Sequence, residues 1–129
     1  MKKGIYVLII SLCKNIEIEV GALGNINFKR GLYAYVGSAQ NNLEKRLNRH
    51  LNKFKKKFWH IDYFLADEHA KIVKVFYKSA EKPWECHIAK IVCDRGIPIK
   101  GFGSSDCHCK SHLFKIEDYQ FLREFMFEK

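Results

Sequence analysis

The order of apolar and polar residues along the chain predicts several strands. Gly4 to Leu12 is rich in Ile, Val and Leu, a composition typical of a buried strand. Apolar and acidic residues alternate from Ile16 to Val20, the period of a half-buried antiparallel strand, so we predict a hairpin between these two segments. Further strands are predicted over Leu32 to Val36, closed by Gly37, and over Ile72 to Tyr77.

The clearest helix follows Gly37. Asn41 or Asn42 can cap its N-terminus. Apolar residues then recur at helical spacing and lie within about 80° of one another around the helix axis, so they predict one stripe that faces the core. The residues of this stripe are Leu43, Leu47, Leu51 and Phe54.

The remaining pattern adds helices to the predicted sheet. One helix is predicted from about Pro83 to Asp94, with Gly96 at its end. Phe58 to Asp67 is predicted as a short helix or structured loop, and Glu117 to Phe127 as a terminal helix. The sequence therefore predicts a single α+β domain over residues 1–129, with a small antiparallel or mixed sheet flanked by helices.

Length and charge narrow the function. The chain has 129 residues, the size of one ordinary domain. Lys plus Arg is 23 and Asp plus Glu is 14, which gives 23 − 14 = +9 and a pI near 9.4. Such a surplus in a small domain indicates a polyanionic partner, nucleic acid first and an anionic membrane second.

Cysteine usage and hydropathy favour a soluble, cytoplasmic protein. An odd number of five cysteines without a regular framework argues against a disulfide-stapled secreted domain. Lys2-Lys3 before the apolar run to Cys13 imitates a signal peptide, but a small-residue cleavage site is missing. Because the apolar stretches fall short of the ~20 residues that span a bilayer, we expect no membrane partner.

Two features of the predicted helices have both a structural and a functional interpretation. Arg46, His50 and Lys53 border the apolar stripe of the first helix, either as a solvated edge or as a cationic site. Glu85 shares a face with the apolar residues Ile88, Ala89 and Val92 of the later helix. A buried carboxylate needs a partner or a metal, although a position in the first turn would also suit the helix dipole.

Near the C-terminus, Gly101 to Leu113 reads Gly-Phe-Gly-Ser-Ser-Asp-Cys-His-Cys-Lys-Ser-His-Leu. Cys107, Cys109 and His112 could bind a soft metal, with His108 or Asp106 as a fourth ligand. Their spacing is not a common zinc pattern, which argues against zinc. A loop that delivers Ser and Asp side chains to a phosphate site is favoured instead.

Together these motifs resemble the GIY-YIG nuclease superfamily over about residues 4–94. Gly4-Ile5-Tyr6 lies in the first predicted strand, and Tyr35-Val36-Gly37 matches the second tripeptide with Val in place of Ile. Tyr6 and Tyr35 are 35 − 6 = 29 residues apart, which exceeds the usual family separation and predicts a larger sheet. The segment from residue 98 to 129 is similar to a small stand-alone branch of the superfamily.

The resemblance implies a set of site residues on the predicted helices and loops. Arg46 matches the arginine of the family's first helix, and His50 follows one turn later, as in some members. His60 matches a position that contacts substrate or a catalytic hydroxyl, and Glu85 matches the single acidic metal ligand. The family's later Asn is missing, so either Ser104, Ser105 or Asp106 takes its role or that role is absent.

The resemblance further implies hydrolysis of DNA phosphodiester bonds with one Mg²⁺ or Mn²⁺ ion at Glu85. Arg46 would bind the scissile phosphate, and Tyr6 or Tyr35 would orient or deprotonate the attacking water. His60 completes the set of predicted catalytic residues. The other residues expected to contact substrate are Gly37, Ser38, His50, Lys53, Lys55, Lys56, Lys57, Ser104 and Ser105.

Other functions remain open at this point. The same basic, aromatic composition suits a non-catalytic nucleic-acid-binding module that stacks bases and holds phosphates. A third hypothesis is a zinc-dependent interaction module built on Cys107 to His112. Because no separate targeting module is present in the sequence, a protein partner or a homodimer is expected to direct the activity.

Overall fold

The computed structural model describes residues 3–53, 55–104 and 109–129. The strands are β1 (Gly4–Leu12), β2 (Ile16–Glu19), β3 (Asn25–Phe28), β4 (Gly31–Ala39), β5 (Ala70–Lys78), β6 (Gly96–Pro98), β7 (Leu113–Ile116) and β8 (Phe127–Glu128). The helices are α1 (Leu43–Leu51), α2 (His60–Leu65) and α3 (Trp84–Cys93), with 3₁₀ segments at Gly21–Leu23 and Gln120–Glu124. These elements confirm the predicted α+β class.

β1 is the central strand because both of its edges are paired along their length. It runs antiparallel to β4 on one edge and to β5 on the other. The six strands of the main sheet follow the order β6-β7-β4-β1-β5-β8, and β2 and β3 form a separate pair. The predicted hairpin between the first two strands is therefore wrong, since β1 has no edge left for β2.

Alternation along β1 divides the core between the two faces of the sheet. Tyr6 and Leu8 belong to a cluster that includes residues of α1 and α2. Ile5 and Val7 point to the opposite face and pack with Ile88 and other residues of α3. The two helices that carry Arg46 and Glu85 therefore cover opposite faces.

α1 begins as predicted and ends differently. The Asn42 side chain accepts a hydrogen bond from Lys45 N at 3.0 Å, which caps the first turn. Leu43 and Leu47 are buried, but Leu51 is 58% exposed and Phe54 lies outside the described residues. His50 takes the inner position in the last turn, so the predicted stripe is correct only for its first half.

The end of α3 corrects the predicted role of Gly96. The helix ends at Cys93 with Asp94 as its C-cap, and Gly96 opens β6 instead. A Cβ at Gly96 would lie 2.7 Å from the Lys115 carbonyl oxygen. Close approach of β6 to β7, and not helix capping, therefore explains this glycine.

The helix predicted over Glu117 to Phe127 is wrong. A single 3₁₀ segment, Gln120–Glu124, buries Phe121 and Leu122, and the chain then extends so that Phe127 pairs with Tyr77 of β5. A short turn followed by an edge strand thus buries the apolar residues and covers part of the outer edge of β5.

Candidate functional site

A pocket of about 310 Å³ lies where β4 extends past the end of β7. β7 pairs with β4 only over residues 32–35, and this leaves the end of β4 open to residues from both faces of the sheet. The pocket is lined by Tyr6, Tyr35, Gly37, Ser38, Arg46, Phe58, Trp59, His60, Lys82, Glu85 and Gly103. All the residues predicted as catalytic (Tyr6, Tyr35, Arg46, His60 and Glu85) are in this set, with Gly37 and Ser38.

The pairing of β1 with β4 makes room for the Tyr6 ring. Gly37 is the cross-strand partner of Tyr6. A Cβ at position 37 would lie 2.5 Å from Cζ and from the hydroxyl oxygen of Tyr6, well inside van der Waals contact. Gly37 therefore lets the Tyr6 hydroxyl reach the pocket, a role separate from the predicted contact with substrate.

The Tyr6 hydroxyl lies between two nitrogen groups of α1. It is 2.7 Å from His50 Nε2, and the Arg46 guanidinium lies close enough to lower its pKa. Burial raises the pKa of Tyr6 above its ordinary value, and Arg46 offsets only part of that effect. Burial and the neighbouring Tyr6 likewise raise the pKa of Tyr35. Both tyrosines are therefore neutral phenols near pH 7.

His50 lies behind Tyr6, away from the pocket surface. Its side chain is 2% exposed, and within the described chain its Nδ1 is buried without a hydrogen-bond partner. Burial lowers the pKa of His50 to about 3, although the Asp62 charge opposes the shift, so the ring is neutral. The prediction of a substrate contact is corrected here: the burial that follows from the inner position on α1 makes His50 a partner of Tyr6.

Arg46 is fixed at the pocket wall by contacts on several sides. Its Nη1 donates to the Ser38 carbonyl oxygen at 2.9 Å, and its guanidinium carbon lies 4.4 Å from the centre of the Trp59 ring. The cation–π contact and the hydrogen bond orient a planar group whose remaining N–H donors are suited to a phosphate.

A buried ion pair that the sequence analysis missed supports this wall. Arg49 binds both oxygens of the buried Asp62 carboxylate at 2.9 Å and also lies against the Trp59 ring. Asp62 accepts the backbone N–H groups of Phe58 and Trp59 at 2.8 Å each. Burial alone would raise the pKa of Asp62, but Arg49 and these N–H groups lower it. In the sequence, an acidic residue three positions after Trp59 is typical of a capped helix start, and this pattern could have indicated the role of Asp62.

His60 presents a defined tautomer at the pocket. The Gly103 N–H donates to His60 Nδ1 at 2.9 Å, so the neutral ring carries its proton on Nε2. Burial lowers the pKa of His60, which favours this neutral form. His60 is thus a hydrogen-bond donor in a pocket that lacks a second acidic side chain among its described lining residues.

Glu85 is held by a histidine from the segment before β7. His112 Nδ1 lies 2.8 Å from Glu85 Oε2 and 3.1 Å from the Val36 carbonyl oxygen. Burial would raise the pKa of Glu85, but hydrogen bonds from His112 and Ser38 lower it below its usual range. The carboxylate is therefore ionised, and its side chain is still 17% exposed at the pocket. No motif or spacing in the sequence predicted the Glu85–His112 pair.

The predicted lysine contacts lie outside the set of pocket residues. Lys53 Nζ donates to the carbonyl oxygens of Leu65, Asp67 and Ala70, at 2.8, 3.0 and 2.8 Å. Lys55 Nζ donates to the Asn52 carbonyl oxygen at 2.6 Å. These bonds give both side chains a role in holding the ends of α1, α2 and β5. Their contact with the flanking backbone of a nucleic acid stays a prediction. Ser104 follows the pocket residue Gly103, and Ser105 and Asp106 lie outside the described residues.

Cysteine and histidine side chains cluster beside the pocket in a set that the sequence did not predict. Cys86, Cys109 and His112 place one ligand atom each within 4.8 Å of one another. Of the residues considered for zinc from the sequence, Cys107 and His108 lie outside the described residues. Cys86 of α3, distant along the chain, supplies the second thiol.

The helices in the described ranges lack the length and apolar character that a bilayer span requires. A family model, Domain of unknown function DUF123, matches residues 5–129. The chain belongs to the DUF123 family. Neither a curated protein nor a solved structure matches this DUF123 chain.

Proposed function

We propose that this DUF123 protein is a divalent-metal-dependent endonuclease that hydrolyses phosphodiester bonds in DNA. The observation that supports the proposal is the meeting of Tyr6 from β1, Arg46 from α1 and Glu85 from α3 in one pocket, beside Tyr35 and His60. These are the residues that the resemblance to the GIY-YIG superfamily implies, and they are distant from one another along the chain.

Glu85 fits the requirements of a hard cation. Its ionised carboxylate is oriented by His112 and Ser38 and faces the pocket. Mg²⁺ commonly binds proteins through one or two carboxylates, with waters and substrate phosphates completing its shell. When bound, such an ion neutralises the charge that develops on the phosphate and the leaving oxygen.

The other pocket residues have separate tasks in the proposed reaction. Arg46 binds the scissile phosphate with donors that its contacts to Ser38 and Trp59 hold in place. His60 donates from Nε2 to a phosphate oxygen. Tyr6 accepts a hydrogen bond from the attacking water, and its own proton lies toward His50 Nε2.

A non-catalytic nucleic-acid-binding module is the second candidate, and Phe58 favours it. This ring is 78% exposed and lines the pocket beside Trp59. An exposed aromatic ring stacks on a base without any chemistry. The neutral state of both tyrosines is compatible with binding alone and with catalysis.

The two candidates are separated by comparing Glu85→Gln with Glu81→Gln. The first change removes the pocket charge, whereas the second removes an exposed charge paired with Lys3. We expect Mn²⁺- or Mg²⁺-dependent cleavage of plasmid, single-stranded or branched DNA by the wild type and by Glu81→Gln, and its loss in Glu85→Gln. DNA affinity measured in EDTA should stay within about threefold for both variants.

Cleavage by Glu85→Gln at the wild-type rate would contradict the metal assignment. Salt-sensitive binding by the wild type without cleavage of any of these substrates would favour the binding module. We place the activity in the cytoplasm. We also propose that a protein partner or a second copy of the chain directs it. Adding cell extract to the purified protein in the same assay tests whether a partner is needed.

A further inference from the structure

We propose that Cys86, Cys109 and His112 form a zinc site that is separate from the hard-cation site at Glu85. Their ligand atoms lie within 4.8 Å of one another. Thiolate sulfur and imidazole nitrogen are the donors that Zn²⁺ selects, whereas Mg²⁺ and Mn²⁺ prefer oxygen. The proposal does not depend on nuclease activity.

The distances require little movement. At zinc bond lengths of about 2.3 Å to sulfur and about 2.0 Å to nitrogen, tetrahedral ligands lie roughly 3.5–3.8 Å apart. The observed limit of 4.8 Å therefore leaves at most about 1.0–1.3 Å for each pair of ligand atoms to close. Side-chain rotation is sufficient for such a shift.

The hydrogen bonds of His112 select the nitrogen that faces the metal. Two acceptors lie beside Nδ1, the Glu85 carboxylate at 2.8 Å and the Val36 carbonyl at 3.1 Å. Nδ1 must therefore carry the proton, and Nε2 of the neutral ring holds the lone pair. A histidine that donates from one nitrogen to a carboxylate and binds zinc through the other is a recurrent arrangement in proteins.

The backbone fixes the positions of the ligands before any metal binds. Lys110 O accepts from Gly101 N at 2.9 Å, and His112 bonds to Phe102 and Val36 through its backbone at 2.7 and 2.8 Å. Cys86 lies in the first turn of α3, whose backbone hydrogen bonds hold it in place. The ion would thus join α3 to the segment before β7.

Cobalt titration of the reduced, full-length protein tests the site. Co²⁺ bound by thiolates gives an intense sulfur-to-metal charge-transfer band, which oxygen ligands do not produce. We expect one Co²⁺ per chain, displaced by one Zn²⁺. Cys86→Ser and Cys109→Ser should each weaken the band and lower metal affinity by at least about 100-fold.

Cys93→Ser is the matched control because Cys93 lies on the same helix but outside the cluster. It should leave the titration unchanged. Glu85→Gln should keep the charge-transfer band even where it abolishes cleavage, so failure of the nuclease proposal is distinguishable from failure of this one.

A reduced wild-type protein that shows no charge-transfer band would overturn the proposal. An equal loss of metal affinity in Cys93→Ser and Cys86→Ser would also overturn it. So would zinc-free protein recovered from zinc-supplemented cells in which Cys86 and Cys109 are joined as a disulfide. Circular dichroism checks that each variant is folded. If Cys86→Ser does not fold, the wild-type stoichiometry and the Cys93→Ser control still decide the outcome.

Discussion

At Tyr6, two effects act on one hydroxyl group in opposite directions. Burial favours the neutral phenol, whereas the Arg46 guanidinium favours the phenolate, and burial is the larger effect. A free phenolate is therefore not the resting state of the pocket. His50 Nε2 at 2.7 Å is a neutral acceptor for the phenolic hydrogen bond, which leaves the Tyr6 oxygen to accept a hydrogen bond from the attacking water. No such group is recorded at the Tyr35 hydroxyl among the described residues.

Tyr6→Phe is accordingly expected to slow cleavage far more than Tyr35→Phe. Loss of a side chain that takes part in general acid–base catalysis commonly lowers the rate by about 10²–10⁴-fold. We expect a loss in that range for Tyr6→Phe and less than about tenfold for Tyr35→Phe, measured under single-turnover conditions. Tyr33→Phe is the control, because Tyr33 lies on the same strand with its hydroxyl bonded to the Lys29 carbonyl oxygen. A larger loss in Tyr35→Phe would transfer the role to Tyr35.

His50 makes stability depend on pH with a definite sign. Its pKa is about 3 in the folded protein and about 6.5 in an unfolded chain. Above about pH 6.5 both states are neutral, and the full stability is present. As the pH falls from there toward 3, only the unfolded state takes up the proton, so stability declines by up to about 1.4 kcal/mol per pH unit.

Urea unfolding of the wild type and of His50→Gln between about pH 7 and pH 4 measures this contribution. Glutamine can still hydrogen-bond to Tyr6 but does not titrate. We expect the wild type to be the more stable protein at pH 7 and to lose that advantage as the pH falls. A difference that stays constant across the range would show that His50 is not buried in its neutral form.

At the level of elements, the junction of β1 and β4 sets the shape of the pocket. Tyr6 and Gly37 face each other across the strands. The Tyr6 ring occupies the space that a side chain at position 37 would fill. Overpacking of a filled core typically costs about 1–3 kcal/mol. Gly37→Ala should therefore lower the free energy of unfolding by about that amount and displace the Tyr6 hydroxyl.

A double-mutant cycle isolates this clash. In a Tyr6→Ala background the ring is gone, so Gly37→Ala should cost less than about 0.5 kcal/mol, the limit for independent sites. Urea unfolding of the four proteins gives the coupling energy. If Gly37→Ala costs the same in both backgrounds, the strain lies in the backbone of β4 and not at Tyr6.

The elements that the sequence predicted correctly are those with a strong local signal. The β-branched run of β1 and the Asn42-capped start of α1 depend on neighbours in the sequence, and both are as predicted. The hairpin failed because the choice of strand partner is not local: β4 and β5 occupy both edges of β1. The predicted terminal helix is wrong because Phe127 pairs with the distant strand β5, and local periodicity does not reveal a free strand edge.

The same distinction separates the predicted and the missed parts of the site. Glu85 and Arg46 were detectable because a charge beside an apolar face is unusual within one helix. Arg49–Asp62 and Glu85–His112 join residues 13 and 27 positions apart (62 − 49 and 112 − 85), and only the folded chain brings them together. Cys86 escaped notice for the same reason, since its partners come from another element.

For the whole molecule, the net charge of +9 sets how nucleic acid is held. Exposed lysines away from the pocket contribute affinity that falls with salt and carries little sequence information. Lys53 and Lys55 are bonded to carbonyl oxygens at the ends of helices, whereas Lys56 and Lys57 are exposed. The salt-dependent share of binding is therefore expected from the latter group.

Phe58 is expected to add a contribution that salt does not change. Its ring is 78% exposed at the pocket, and stacking on one base is worth about 1–3 kcal/mol. Phe58→Ala should weaken binding of single-stranded DNA by roughly five- to 150-fold at every salt concentration, while the slope of log Kd against log salt stays the same. Phe127 is also 67% exposed but lies on the edge strand β8, so Phe127→Ala is the control and should not change affinity. Because the ring is uncharged, a change of slope in Phe58→Ala would mean that the substitution has moved the neighbouring lysines. Equal effects of the two substitutions would exclude Phe58 as a stacking residue.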